Sequence, residues 1–212
     1  YAGLFHGRDG AYTQDSAVGQ RPISAMCRDA DGSLLLGLEN GLGRLRNGVF
    51  DDDVAKGPPD LGIIRALQCI GGEVWLGCDR GLFVVRDTAL ESLPVHPVLE
   101  TFVHRIVPGA AGEVWLASVR GCVRLSAERE VLGVWRLGED LPSGEIRAIL
   151  NADSGRIWLG IYGGGFVAID AGNYTVSQAI DRRHGLFDHS ICAIAELGDR
   201  WIIGRSEERR VG

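Results

Sequence analysis

The sequence predicts an all-β protein, a β-propeller made of four-stranded antiparallel blades. One pattern recurs along the chain: a Gly three residues before a large apolar anchor and, in four of five copies, a second Gly six residues after it. The anchors are Leu35, Trp75, Trp115, Trp158 and Trp201. They are separated by 40, 40, 43 and 43 residues, which is the period of a propeller blade. No stretch of the chain has the apolar spacing of a helix.

The glycines that recur around the anchors predict where the chain reverses direction. The preceding glycines are Gly32, Gly72, Gly112, Gly155 and Gly198. The following ones are Gly41, Gly81, Gly121 and Gly164, whereas the fifth copy has Glu207 there. A reversal between strands needs a positive φ or a close backbone approach, and both favour glycine.

A short apolar segment upstream of each anchor predicts the first strand, a, of each blade. These segments are Ile23–Met26, Ile64–Leu67, Val103–Ile106, Ile146–Ile149 and Ile191–Ile194. In the second copy we expect four strands, with a Gly71-Gly72 turn after the first. They are strand a at Ile63–Cys69, strand b at Glu73–Cys78, strand c from Gly81 through Arg86 and strand d near Val95–Leu99.

The two ends of the chain carry complementary halves of a blade. Residues near 1–14 supply strands c and d, four full blades occupy about 22–190, and residues 191–205 supply strands a and b. We therefore expect a single propeller domain over 1–212, with five blades and one composite blade joining the two ends. Closure would remove exposed sheet edges. The alternative is a piece of a longer array of six to eight blades.

Composition narrows the possible partners. The net charge is −6 and no run of Lys or Arg stands out, so no nucleic-acid partner is expected. No apolar run is long enough to span a membrane, so attachment would need segments outside this chain. The five cysteines are odd in number and form no CxxC pair. They are interpreted as small buried residues, with neither a zinc site nor a disulfide framework, and no cofactor is expected.

Two segments resemble the repeat of the two-component regulator propellers. One is Asp29–Gly37 followed by Asn40-Gly41-Leu42, and the other is Gly72–Gly77 followed by Arg80-Gly81-Leu82. That repeat reads as an apolar strand, Asp-x-x-Gly-x-Leu/Ile-Trp-Ile/Leu-Gly-Thr, and then Gly-Leu. Its interblade stretch is similar to Glu139–Ile146 and to His184–Ile191. The resemblance covers almost the whole chain.

The resemblance implies a ligand-binding sensor, or input, module of a bacterial signalling protein. Propellers of that family are usually extracytoplasmic parts of hybrid histidine kinases, and several respond to carbohydrates. A periplasmic location is implied, while five apparently unpaired cysteines leave a cytoplasmic one open. The chain has no GxSxG elbow, Walker loop or HExxH motif, so an enzyme is not expected.

Loops that join d to a and b to c open on the same face of a propeller, so residues at matching positions there are candidates for ligand binding. Those we select are Arg65, Arg80, His104, Arg120 and Arg147. Guanidinium groups bind carboxylate, phosphate and polyol oxygens in bidentate fashion, which predicts a small polar ligand such as a sugar or an anion. The alternative is that each Arg pairs with a neighbouring acid such as Glu39, Asp79 or Glu145.

Two other functional classes remain open. The chain also resembles streptogramin-inactivating lyases, which are propellers that use a His base near magnesium; His104 or His189 would have to serve. A protein-docking scaffold is the third class. His184, Asp188 and His189 lie close in sequence, but they occupy the interblade loop and are interpreted as structural or solvated rather than as metal ligands. The anchor Trp residues are interpreted as core.

Overall fold

The computed structural model describes residues 3–152, 156–170, 172–180, 184, 191–197 and 200–205. The chain forms two compact units, Tyr1–Pro94 and Val95–Gly212. Strands dominate both units, and short 3-10 turns span Pro97–Leu99 and Ala110–Gly112. Within the described residues, no helix has the length and apolar character needed to cross a membrane.

The first unit contains a hairpin and two four-stranded blades. The hairpin pairs β1 (Phe5–Arg8) with β2 (Ala11–Gln14). The first blade has β3 (Ala25–Arg28), β4 (Leu34–Leu38), β5 (Gly41–Arg46) and β6 (Val49–Lys56). The second blade has β7 (Ile64–Ile70), β8 (Glu73–Cys78), β9 (Gly81–Arg86) and β10 (Ala89–Ser92). A parallel bridge between Lys56 and Ala89 joins the last strands of the two blades.

The second unit contains two more blades and a second strand pair. The third blade has β11 (Val103–Pro108), β12 (Val114–Ser118), β13 (Gly121–Leu125) and β14 (Val131–Arg136). The fourth has β15 (Glu145–Ala152), β16 (Arg156–Tyr162), β17 (Gly165–Asp170) and β18 (Val176–Ile180). The pair consists of β19 (Ile191–Leu197) and β20 (Arg200–Arg205). The predicted half-blades at 1–14 and 191–205 are therefore both antiparallel pairs.

The predicted position of strand d in the second blade is wrong. We expected Val95–Leu99, but β10 spans Ala89–Ser92 and Pro97–Leu99 forms a 3-10 turn. The chain reverses at Asp87, whose φ is 53°, and β10 pairs with β9 at once. Asn47-Gly48, with φ of 50° and 76°, makes the equivalent turn in the first blade. Asp tolerates this left-handed backbone, which allows a tight hairpin without the usual glycine.

Glycine at the b-to-c reversal has the two predicted causes. Gly81 and Gly121 have positive φ values of 124° and 155°. A Cβ on Gly121 would lie 2.2 Å from the Trp135 carbonyl oxygen, and one on Gly164 would lie 2.5 Å from Ile161 Cγ2. Side chains other than hydrogen therefore do not fit at these reversals.

The cores of the two units lie between neighbouring sheets. In the first unit, buried residues from both blades form one cluster that includes Leu35, Leu42 and Leu76. In the second unit, Trp115 and Ile157 belong to one cluster shared by the third and fourth blades. Each fully buried Leu or Ile contributes roughly 1.5–3 kcal/mol relative to an exposed one. The predicted fold class, an all-β propeller of four-stranded antiparallel blades, is confirmed. A composite fifth blade and a single domain over 1–212 stay predictions.

Candidate ligand-binding site

Two kinds of loop meet at one end of the third blade. The Ser118 side chain, fully buried at the end of β12, donates from Oγ to the Val98 carbonyl oxygen at 2.8 Å or to that of Gly121 at 3.2 Å. The same oxygen accepts from the Arg120 backbone N–H at 3.1 Å. Through these hydrogen bonds Ser118 links the b-to-c reversal to the connection that precedes strand a. The two loops therefore lie together, as the sequence predicted.

A cavity of about 380 Å³ opens beside the two loops that Ser118 links. Its lining combines the connection before β11, the b-to-c reversal and the segment after β14: Pro97, Val98, Val119, Arg120, Arg136, Leu137 and Glu139. Four of these lining residues are apolar and three are charged. Such a cavity suits a small ligand that has both polar groups and an apolar face.

Two exposed arginines share this cavity. Arg136 pairs with Gly121 in the β13–β14 ladder, and the Leu137 N–H donates to the Arg120 carbonyl oxygen at 3.1 Å, so the two arginines are held on adjacent backbone. Among the described residues, neither guanidinium group forms an ion pair. Glu139 is the one acid of the lining, which leaves an excess of positive charge. Sequence reasoning selected Arg120 and missed Arg136, because Arg136 lies at the end of a d strand.

In the first unit, both arginines selected from the sequence form ion pairs with carboxylates. Arg65 Nε donates to Asp79 Oδ1 at 2.5 Å, and Asp79 also accepts from the Ile63 N–H at 3.4 Å. Arg80 forms an ion pair with Asp60. Both guanidinium groups are partly exposed, so the pairs contribute little net stability, but they fix the direction of each side chain.

In the second unit, one carboxylate lies between the two remaining candidates. Glu145 Oε2 accepts from Arg147 Nη2 at 2.8 Å and lies 3.9 Å from His104 Nε2. The hydrogen bond with Glu145 is the main cause that raises the pKa of Arg147. The Arg147 guanidinium also stacks over the Tyr162 ring, 4.6 Å from its centre. Of the five candidates, Arg65, Arg80 and Arg147 thus adopt the paired alternative, whereas Arg120 pairs with no acid in the part of the chain that the structure describes.

A second cavity, of about 310 Å³, lies between the two blades of the first unit. Its charged lining is mostly acidic: Asp51, Asp53, Asp87 and Arg44. Arg44 donates to Asp29 at 3.2 Å, and Lys56 pairs with Asp53 at 2.9 Å. The described residues contain no group of three or more His, Cys, Asp and Glu side chains that could hold a metal ion. The charge of this cavity disfavours an anionic ligand.

Four anchors are buried as predicted: Leu35, Trp75, Trp115 and Trp158. The Trp201 side chain, Asp188 and His189 lie outside the described residues, and His184 is exposed. The interpretation of the cysteines is partly wrong. Cys78 and Cys122 are buried, whereas Cys27, Cys69 and Cys192 are partly exposed.

These blades and loops define the class of protein as a β-propeller. Among solved structures, the chain is similar to the extracellular domain assigned to the hybrid two component system BT3049 from B. thetaiotaomicron, with 17% identity over 86% of this chain and 25% of that one, and a TM-score of 0.67. PorZ, described as an essential bacterial surface component of the type-IX secretion system of Porphyromonas gingivalis, has 14% identity over 96% of this chain and 35% of that one, and a TM-score of 0.75. Virginiamycin B lyase from Staphylococcus aureus has 15% identity over 89% of this chain and 64% of that one, and a TM-score of 0.66.

No protein-family model matches the chain, and no curated protein matches it. The chain spans 25% of the BT3049 domain and 35% of PorZ. At these low identities, structural similarity shows the fold. It agrees with the predicted resemblance to two-component regulator propellers, since extracellular domains of such systems are among the similar structures.

Proposed function

We propose that this chain is part of a sensor propeller of a bacterial signalling protein, and that it binds a small anionic ligand, such as an acidic sugar, at the Arg120 and Arg136 cavity. The main support for this site is that Arg120 and Arg136 line one cavity of about 380 Å³ and form no ion pair with any described residue. The sensor role, and with it an extracytoplasmic location, is supported by the fold shared with extracellular domains of two-component systems.

Charge and geometry favour a carboxylate over a neutral group. A guanidinium fork donates two parallel hydrogen bonds to a carboxylate, and two forks on adjacent backbone can hold it from two sides. Apolar lining residues such as Pro97 and Val98 suit the carbon face of a sugar ring. The paired arginines Arg65 and Arg147 already donate to carboxylates, so a ligand would have to compete with Asp79 and Glu145.

The test is calorimetric titration of the chain with D-glucuronate, inorganic phosphate and D-glucose. We expect the two anions to bind and glucose to bind more weakly. Arg120→Gln with Arg136→Gln should weaken anion binding at least tenfold, because each lost charge-assisted pair is worth about 1.5–3 kcal/mol. Arg65→Ala with Arg147→Ala is the matched control and should leave it unchanged.

The outcomes separate the alternatives. If none of the probes binds, or if the Arg120 and Arg136 variant binds as well as the wild type, the site is wrong. If only the Arg65 and Arg147 variant loses binding, the paired arginines carry the ligand instead. The lyase alternative predicts that His104→Ala abolishes magnesium-dependent opening of a streptogramin ring, which the wild-type chain would have to catalyse.

A further inference from the structure

Two cysteines from different blades of the first unit are in contact. Cys27 lies on β3 and Cys69 on β7, and their Sγ atoms are 3.3 Å apart. The residues are 42 apart in sequence, close to one blade repeat, so both lie on the first strand of a blade. Both are partly exposed, which leaves the sulfurs within reach of a small reagent.

The two strands are held side by side independently of the sulfurs. Ser24 Oγ, just before β3, donates to the Ile64 carbonyl oxygen of β7 at 2.6 Å. Leu35, on β4 beside β3, and Leu67, on β7, belong to the same buried cluster, so packing also fixes the spacing of the two sheets. A disulfide has an S–S bond of about 2.05 Å, so closure needs the two sulfurs to approach by only about 1.3 Å.

We propose that Cys27 and Cys69 are a dithiol pair that oxidises to a disulfide joining the first strands of the first two blades. The oxidant is a small disulfide such as glutathione disulfide. One thiolate attacks the oxidant and releases one thiol, leaving a mixed disulfide. The second thiolate then attacks the bound cysteine sulfur and expels the second thiol. Two protons and two electrons leave the pair, and the oxidant becomes two thiols.

The surroundings of the pair slow its oxidation at neutral pH. Burial, together with the contact with Cys69, raises the pKa of the Cys27 thiol to about 12. Burial also raises the pKa of Cys69, but there the hydrogen bond with Cys27 and the charge of Arg44 act in the opposite direction, against Asp29. Both thiols are therefore mostly protonated at neutral pH, and either can attack the oxidant first. At neutral pH the reaction is slow, and its rate rises about tenfold per pH unit while the thiols are mostly protonated.

The experiment oxidises the reduced chain with glutathione disulfide, denatures it, labels free thiols with N-ethylmaleimide and counts adducts by mass spectrometry. The wild type should change from five adducts to three, with a peptide map that links Cys27 to Cys69. Cys27→Ser and Cys69→Ser each lack one thiol of the pair, so neither should form an internal disulfide: each should carry four adducts, or three adducts and one glutathione on the remaining cysteine of the pair. The control, Cys192→Ser, should change from four to two. Oxidation should raise the melting temperature of the wild type by several degrees, because the bond closes a 42-residue loop.

The proposal is overturned if the oxidised wild type keeps five adducts, if the map links another pair, or if stable glutathione adducts form instead of an internal bond. The peptide map uses the wild-type chain, so the test does not depend on whether a variant folds. The outcome is also independent of the proposed ligand site, which lies in the other unit.

Discussion

The Arg124 guanidinium lies 3.7 Å from the centre of the Tyr174 ring, between the third and fourth blades. Arg124 Nε also donates to Glu113 Oε2 at 2.9 Å, and only 8% of Arg124 is exposed. Trp135 Nε1 donates to the Tyr174 carbonyl oxygen at 3.1 Å, and Trp115 stacks on Trp135 with ring centres 5.2 Å apart. The buried Arg124 therefore contacts both the Glu113 carboxylate and the Tyr174 ring, whose contacts with the third blade join the two blades.

We expect Arg124→Met to destabilise the protein by about 2–4 kcal/mol. The substitution leaves the Glu113 carboxylate partly buried without its partner and removes the cation over Tyr174. Urea unfolding measures the change. Arg46→Met, which breaks a more exposed ion pair with Asp31 at 3.4 Å, is the control and should have a much smaller effect. Equal losses for the two variants would contradict the role of burial.

Gly121→Ala should cost about 3 kcal/mol or more. Its φ is 155°, and a Cβ there would lie 2.2 Å from a backbone oxygen that cannot rotate away. Gly48→Ala is the matched control. Its φ is also positive, at 76°, but nothing lies within 4 Å of the added Cβ, so only the conformational cost of about 1 kcal/mol remains. Thermal unfolding of both variants tests the difference, and similar losses would show that the neighbouring chain is not the cause.

Ser118→Ala should destabilise the protein by about 1–3 kcal/mol. The hydroxyl is buried, and its removal leaves the Arg120 N–H and the Val98 carbonyl oxygen without a partner. We also expect faster amide hydrogen exchange at Arg120. The control is Ser126→Ala, in a more exposed turn where Ser126 Oγ accepts from the Glu128 N–H at 3.1 Å. If exchange at Arg120 is unchanged, Ser118 does not fix this loop.

Under reducing conditions, Cys27 should make stability fall at alkaline pH. Burial, together with the contact with Cys69, raises the pKa of its thiol from 9.0 to about 12. Below pH 9 the thiol is protonated in both the folded and the unfolded chain, so its contribution is constant. From about pH 9 to 12 the unfolded chain loses the proton first, and the contribution declines. Urea unfolding at pH 8, 9.5 and 10.5 should therefore show a steeper loss for the wild type than for Cys27→Ser. Parallel curves would exclude this linkage.

The sequence correctly predicted the features whose physical cause lies within a single repeat. The anchor period predicted the four blades, and the glycines after the anchors predicted the reversals at Gly81 and Gly121. The prediction failed for strand d of the second blade, because Asp87 supplies there the left-handed turn that Asn47-Gly48 supplies in the first blade. The signal was present in the alignment of Asp87 with Asn47, which occupies the same place in the first blade.

The site was predicted only in part, because a ligand site depends on pairing between loops. Arg80 and Arg120 occupy the same position in their repeats, five residues after the anchor, yet Asp60 pairs with Arg80. Arg65, near the start of a strand a, pairs with Asp79. The pairing of β13 with β14 places Arg136 near Arg120, and no local sequence motif predicts this pairing.

The sequence by itself determined the blade count within the described residues, the order of strands and the buried anchors, since spacing and apolar alternation act locally and repeat. Only the tertiary structure decided which charges are already paired and which cysteines touch. The 3.3 Å contact of Cys27 with Cys69 and the shared cavity of Arg120 and Arg136 arise when strands distant in sequence pack together. The energies of such contacts depend on separation in space, which the order of residues does not encode directly.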